Sequence, residues 1–167
     1  GVAGPSANRF GRVSPTTAAH VQGEFGDDLL IIDGGPCEVG IESTIVDCSR
    51  GVPVLLRPGL ITRAQIEAAC GEKLRDRHDL SAPDPRASGT LEAHYAPSAK
   101  VRLMDAKAIQ TGLDLLGAEA KNIAVWSRAE VRSRSSHLVL RRMPADAAAA
   151  AQLLFATLRD FDAQGVK

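Results

Sequence analysis

The sequence predicts an α/β fold in more than one part, and three observations predict it. After residue 100, short apolar runs of strand length alternate with stretches of helical spacing, which is the pattern of a parallel sheet with crossover helices. Residues 78–99 read HDLSAPDPRASGTLEAHYAPSA, with three prolines and little periodicity, too long for an ordinary loop within one compact unit. Before that stretch, short apolar segments are separated by glycine-containing turns. The expected division is therefore a first unit over 1–77, a linker over 78–99 and a second unit over 100–167.

The elements follow in order. Ser14-Pro15, with Thr17 three positions after the serine, reads as an N-cap and a proline at the first helical position; the exposed N–H groups of such a helix suit an anion. Leu29 to Ile32 is a strand running into the tight turn Asp33-Gly34-Gly35-Pro36. Ser43 to Cys48 and Val52 to Arg57 are two short strands joined at Ser49-Arg50-Gly51. Thr62-Arg63-Ala64-Gln65 is a capping box that opens a helix ending at Gly71.

Beyond the linker, Val101 to Met104 is strand-like, Ala106 to Ala120 helical, Ile123 to Ser127 a buried strand and Leu138 to Arg141 another. An amphipathic helix then runs from about Ala145 to Gly165, with Leu154, Leu158 and Phe161 at helical spacing. This alternation points to a parallel, Rossmann-like sheet, which needs at least one more strand after Lys167. The opening Gly-Val-Ala-Gly reads as a strand end, so the chain is expected to be a piece of a longer one.

Composition narrows the function classes. At 167 residues and 44% hydrophobic, the chain can bury a core. A formal net charge of zero argues against a chain dominated by nucleic-acid or anionic-membrane binding, while leaving room for a local basic patch. No apolar run has the length of a membrane span and no secretory signal opens the sequence, so a soluble protein without membrane contact is expected. Cys37, Cys48 and Cys70 are odd in number and never form CxxC, which disfavours a disulfide framework or a zinc site. A reducing, cytoplasmic setting fits them.

Candidate chemistry gathers in the first part. Gly40-Ile41-Glu42-Ser43-Thr44 puts a carboxylate and two hydroxyls at the mouth of a strand, and Arg57 stands at the end of the next, where a guanidinium can hold a phosphate or carboxylate bidentately. With Ser6, Asn8 and Ser14 they outline an anion-binding cleft. Ser, Asn and Gly are also common turn residues, so spacing alone leaves a purely structural role open. Glu42 can equally be a solvated turn carboxylate and Arg57 half of a surface ion pair. The chain has no GxGxxG, no GxxxxGK[ST], no HExxH and no GxSxG, and His20, His78, His94 and His137 lack ligand spacing.

Five segments in order carry a resemblance: Pro5-Ser6-Ala7-Asn8 through Ser14-Pro15-Thr16, Asp33-Gly34-Gly35, Gly40 to Asp47 (GIESTIVD), Leu56-Arg57-Pro58-Gly59, and His94-Tyr95-Ala96-Pro97. Together they resemble the YrdC-type threonylcarbamoyl-adenylate synthases, in the two-domain form. The fold implied is the C-terminal part of a YrdC-like α/β domain twisted around a positively charged cleft, a linker bearing the HYAP motif, and an incomplete Rossmann-like domain. That family's lysine- and arginine-containing substrate motifs have no counterpart here, so the isolated chain is expected to be inactive.

The implied reaction joins L-threonine, bicarbonate and ATP into threonylcarbamoyl-AMP and pyrophosphate. By the resemblance, Ser6 and Ser14 would contact ATP and Arg57 would pair with nucleotide phosphate. The backbone near Gly4 and the Ser43 hydroxyl would hold threonine, and Tyr95 would reach back over the nucleotide as part of a lid. Magnesium would accompany ATP, although no dedicated carboxylate cage is visible. The product would pass to threonylcarbamoyl transferase proteins that modify tRNA. Arg128, Arg132, Arg134, Arg141 and Arg142 cluster around the Trp126 strand, so weak tRNA contact or simply a solvated face would explain them. Two alternatives stay open: a YrdC-type maturation factor forming a carbamoyl-adenylate, and a non-catalytic RNA-binding module.

Overall fold

The computed structural model describes residues 1–79 and 96–167, and the chain divides into two compact units, Gly1–Ala96 and Pro97–Lys167. In the first, helix α1 covers Ala18–Phe25 and is capped by Thr17, whose hydroxyl accepts from the His20 N–H. The helix thus starts three residues later than the Ser14-Pro15 pair predicts. The reason is competition for the serine: Ser14 is buried, with its hydroxyl turned towards Asn8 and Glu42 instead of a helix end.

A second departure is Leu29 to Ile32, which is not a strand. No described strand lies beside it to complete a ladder, and Leu30 and Ile32 are each 89% exposed. The turn after it forms as expected, with Asp33 Oδ1 accepting from the Gly35 N–H at 2.8 Å and Gly35 at φ 90°.

Strand β1, Ile45–Asp47, pairs antiparallel with β2, Val54–Arg57. Both are shorter than predicted, and a register irregularity falls between Ile45 and Val46. Their connection is tied by Asp47, whose carboxylate accepts from the Ser49 N–H and hydroxyl and from Arg50 Nε. The Ser49 hydroxyl first, then its N–H and Arg50, hold the Asp47 carboxyl at a pKa of about 2.

Helix α2, Arg63–Cys70, has the full Thr62–Gln65 capping box and stops at Gly71 with φ 75°. After it comes an element with no sequence signal, β3 (Arg75–Asp76), a two-residue edge that runs parallel to β2. Val13, Pro53, Val54 and Leu74 are buried apolar residues among those described in this unit.

In the second unit, helix α3 covers Ala106–Leu116 under an Asp105 cap, shorter than predicted, with a 3-10 turn following at Gly117–Glu119. Strands β4 (Ala124–Ser127) and β5 (Val139–Arg142) pair in parallel, Ala124 opposite Val139 through Ser127 opposite Arg142. An irregular segment joins them in place of a crossover helix. Helix α4, Ala147–Ala163, is capped by Asp146. Near its end, the Asp162 carboxylate accepts from the backbone N–H groups of Ser98 and Ala99.

Leu113, Ala120, Ala150, Phe155 and Phe161 make the core of this unit. Val101 to Met104 forms no strand among the described residues, and Leu103 stands fully exposed. The architecture is mixed α/β. None of the described helices is long and apolar enough to cross a membrane, and none of the three cysteines forms a disulfide.

Candidate functional site

The β1–β2 pairing decides what Arg57 can reach. Register puts Ile45 opposite Arg57, so the guanidinium at the end of β2 lies against the segment that leads into β1. Arg57 Nε donates to the Ser43 carbonyl at 3.0 Å, one terminal nitrogen donates to Ser43 Oγ at 3.1 Å, and the same nitrogen stands 3.5 Å from Glu42 Oε2. The side chains of Arg57 and Glu42 are only 12% and 18% exposed, so this pair is sheltered from the solvent screening that weakens most surface ion pairs.

Glu42 also draws in the loop before α1. Its other oxygen accepts the Ser14 hydroxyl, and Ser14 Oγ lies 3.3 Å from Asn8 Oδ1. The Asn8 amide in turn donates to the carbonyls of Arg9 and Arg12 at 3.0 and 3.2 Å, closing the loop on itself. The result is a chain of polar contacts, Asn8–Ser14–Glu42–Arg57–Ser43, assembled from three segments of the sequence.

Gly59 lets these segments meet. A Cβ at this position would lie 2.4 Å from the Thr44 nitrogen, 2.6 Å from the Glu42 oxygen and 2.6 Å from the Ser43 carbonyl carbon. All are backbone atoms, so only glycine allows the chain just past β2 to approach so closely. Thr44 Oγ1 adds a bond to the Ile61 carbonyl at 2.8 Å on the same crossing.

Of the residues singled out from sequence, the structure thus brings together Ser14, Ser43 and Arg57, with Asn8 beside them. Ser6 and Gly4 lie exposed in the opening segment and take no part in this network. Tyr95 lies outside the described residues. Its neighbour Ala96 is placed: the Ala96 N–H donates to the Gly11 carbonyl at 3.0 Å and bridges in parallel to Arg12, in the Asn8–Ser14 loop.

Two residues count for more than their spacing implies. Glu42 is not a solvated turn carboxylate but the link between Ser14 and Arg57. Gly59 belongs to the Leu56–Gly59 motif, yet spacing assigns it no role of its own. Its signal is a glycine two positions beyond a strand-end arginine, facing a hydroxyl-rich strand mouth.

The arrangement can present one guanidinium and the Ser43 hydroxyl to an anionic, hydrogen-bonding ligand, while the Ser14 proton goes to Glu42. It does not suit a metal cage. Among the described residues no group of three or more His, Cys, Asp or Glu side chains could hold an ion, and Glu42 is already engaged by Ser14 and Arg57. The second unit's arginines are partly engaged within that unit. Arg128 Nε donates to the Pro144 carbonyl, while Arg141 pairs with Asp160 and lies 5.1 Å over the Phe161 ring.

Comparison with known proteins gives two family matches: the family described as threonylcarbamoyl-AMP synthase, C-terminal domain, over residues 61–167, and the one described as telomere recombination, over residues 1–59. A threonylcarbamoyl-AMP synthase from Bacillus subtilis is 41% identical over 110 residues, which is 62% of this chain and 31% of the relative. One from Schizosaccharomyces pombe is 37% identical over 186 residues, 99% of this chain and 46% of the relative. The crystal structure of Pyrococcus abyssi Sua5 complexed with L-threonine superposes with a TM-score of 0.78 at 32% identity, covering 97% of this chain and 49% of that one. The chain therefore spans less than half the length of these relatives.

Proposed function

This chain belongs to the threonylcarbamoyl-AMP synthase family, and on that premise we propose that it carries part of the site at which L-threonine, bicarbonate and ATP become threonylcarbamoyl-AMP, pyrophosphate and water. The observation that supports this most directly is the sheltered Arg57 guanidinium, held by Ser43 and Glu42 beside the buried Ser14 hydroxyl.

In this reaction the threonine amine attacks the carbon derived from bicarbonate, forming a carbamate. The carbamate carboxylate then attacks the α-phosphorus of ATP and pyrophosphate leaves. Two anions must be held close together while charge builds on the phosphoryl oxygens. Arg57 supplies the neutralising cation. Its position is preset by Ser43 and Glu42, so little reorganisation is required of it when phosphate arrives.

Ser14 serves the same nucleotide, its hydroxyl held in place by Glu42. Ser6 extends the ATP site, and Gly4 and the Ser43 hydroxyl hold threonine. The threonine named with the Pyrococcus relative supports that substrate. Tyr95 closes over the nucleotide, a reading supported by the anchoring of adjacent Ala96 on the Gly11–Arg12 loop. No step is assigned to magnesium, because the described residues build no cage for it.

Residues 1–77 would then be the C-terminal part of the catalytic domain, 78–99 the linker, and 100–167 a Rossmann-like domain, a reading supported by the parallel β4–β5 pair. The product would feed tRNA threonylcarbamoylation by partner transferases in the cytoplasm.

The test is AMP formation from ATP by the full-length protein, with threonine and bicarbonate each present or omitted, beside Arg57→Ala. Turnover that needs both substrates and falls at least 100-fold in the variant is the expected result, on the order of the loss of one transition-state anion contact. Threonine-independent AMP formation, or none from a folded protein, would overturn the reading.

A further inference from the structure

The second unit holds a cavity of about 300 Å³ at the carboxyl ends of its two parallel strands. Val125, Ala129, Val131 and Leu140 give it apolar lining, and Ser127, Arg132, Arg141 and Arg142 line it as well, with one carboxylate, Glu130. Strand alternation accounts for the placement. Val125 pairs with Leu140 and Ser127 with Arg142, so these four share one face of the sheet, while Arg141 on the opposite face reaches Asp160 on α4.

The loop that lines one side of the cavity is tied to α3. Gln110 on α3 clamps Arg132 through both of its amide atoms, donating to the Arg132 carbonyl at 3.0 Å and accepting from its N–H at 2.9 Å. The side chains of Arg132 and Arg142 make no hydrogen bond or ion pair among the described residues. Three features coincide: an apolar interior, two uncompensated guanidinium groups at its edge, and a position outside the carboxyl ends of parallel strands, where open α/β sheets take their ligands.

We propose that this cavity binds a nucleoside monophosphate, with the base against Val125, Val131 and Leu140 and the phosphate between Arg132 and Arg142. Inorganic phosphate alone would leave the apolar walls wet. The volume, about 300 Å³, is at the small end of ligand pockets and suits a single nucleotide unit. With Arg141 paired to Asp160 and Glu130 set against Arg132 and Arg142, the lining keeps a net positive charge that favours a phosphate group. This site is separate from the Arg57 site and does not depend on the reaction assigned there.

The test uses the full-length protein carrying Arg57→Ala, so that the first unit's nucleotide contact is weakened. Photolabelling with 8-azido-AMP and mapping of the labelled peptide should place the label within residues 125–142, with unlabelled AMP competing and inorganic phosphate competing at least tenfold less well. Arg132→Gln with Arg142→Gln, conservative changes at exposed side chains, should weaken AMP binding by at least tenfold in equilibrium dialysis without changing the circular dichroism. Label confined to the first unit, or AMP affinity unmoved by the two arginine changes, would overturn the proposal. So would salt-sensitive tRNA binding that shields this face in a protein that retains no AMP there.

Discussion

Gly59→Ala is the most demanding test of the site geometry, because the added methyl has nowhere to go. Its carbon would meet the Thr44 nitrogen at 2.4 Å, and ordinary contact begins at 3.4 Å, so the strand end and the 42–44 segment must separate by about 1 Å. The neighbours are main-chain atoms, so no rotamer change relieves the contact. Overpacking of this kind costs typically about 1–3 kcal/mol, and the rigidity of the neighbours puts this case near the upper figure.

The same displacement would pull Arg57 away from Ser43 and Glu42, whose contacts at 3.0 to 3.5 Å have little slack. A misplacement of about 1 Å in a positioning group can lower a rate by about 100-fold. Urea unfolding should therefore show a loss of about 2–3 kcal/mol, and AMP formation by the full-length protein should fall in parallel. Gly34→Ala is the control, since a Cβ there meets nothing within 4 Å. If Gly59→Ala unfolds within about 0.5 kcal/mol of the parent, as ordinary surface substitutions do, the close crossing of the two segments is wrong.

Other perturbations separate local from tertiary effects. Glu42→Gln keeps the shape but leaves the sheltered Arg57 without its counter-charge, so chemical unfolding should show a loss of about 1–3 kcal/mol, less than for a fully buried pair. Thr62→Ala removes a complete capping box and should cost about 1 kcal/mol by the same assay. Gly112→Ala places a methyl in open space in the middle of α3 and should stabilise by about 0.5–1 kcal/mol, seen as a raised melting temperature. Asp47 titrates lower folded than unfolded, from an ordinary value of 3.8 to about 2, so its contribution is present above pH 3.8 and lost as pH falls through about 2. The stability gap between the parent and Asp47→Asn should accordingly narrow over that window, and a gap that keeps its full size at pH 2 would contradict the Ser49 and Arg50 contacts.

What could be read from the sequence was what neighbours along the chain decide. The Thr62–Gln65 box and the Gly71 stop enclose α2 as written, because both depend on contacts three or four residues apart. The Asp33 turn and the short β1–β2 pair were legible for the same reason, and so was the parallel β4–β5 alternation. Apolar composition suggests strands at Leu29–Ile32 and Val101–Met104 that do not form, since a strand exists only where another backbone answers its hydrogen bonds.

Ser14 shows where local reasoning ends. Its sequence allowed a helix cap, and the choice went to a carboxylate 28 residues away, at an energy no local rule ranks. The motifs of the first unit can be placed in order along the chain, but not which of them touch. That was decided by the β1–β2 register, which turns Arg57 towards Glu42 and Ser43, and by the missing side chain of Gly59, which lets the two backbones close to contact. Composition and spacing thus determined the kinds of groups present and the local turns that carry them. Their assembly into one polar network came from tertiary contact, because charge pairing and close packing depend on distances through space that the sequence does not state.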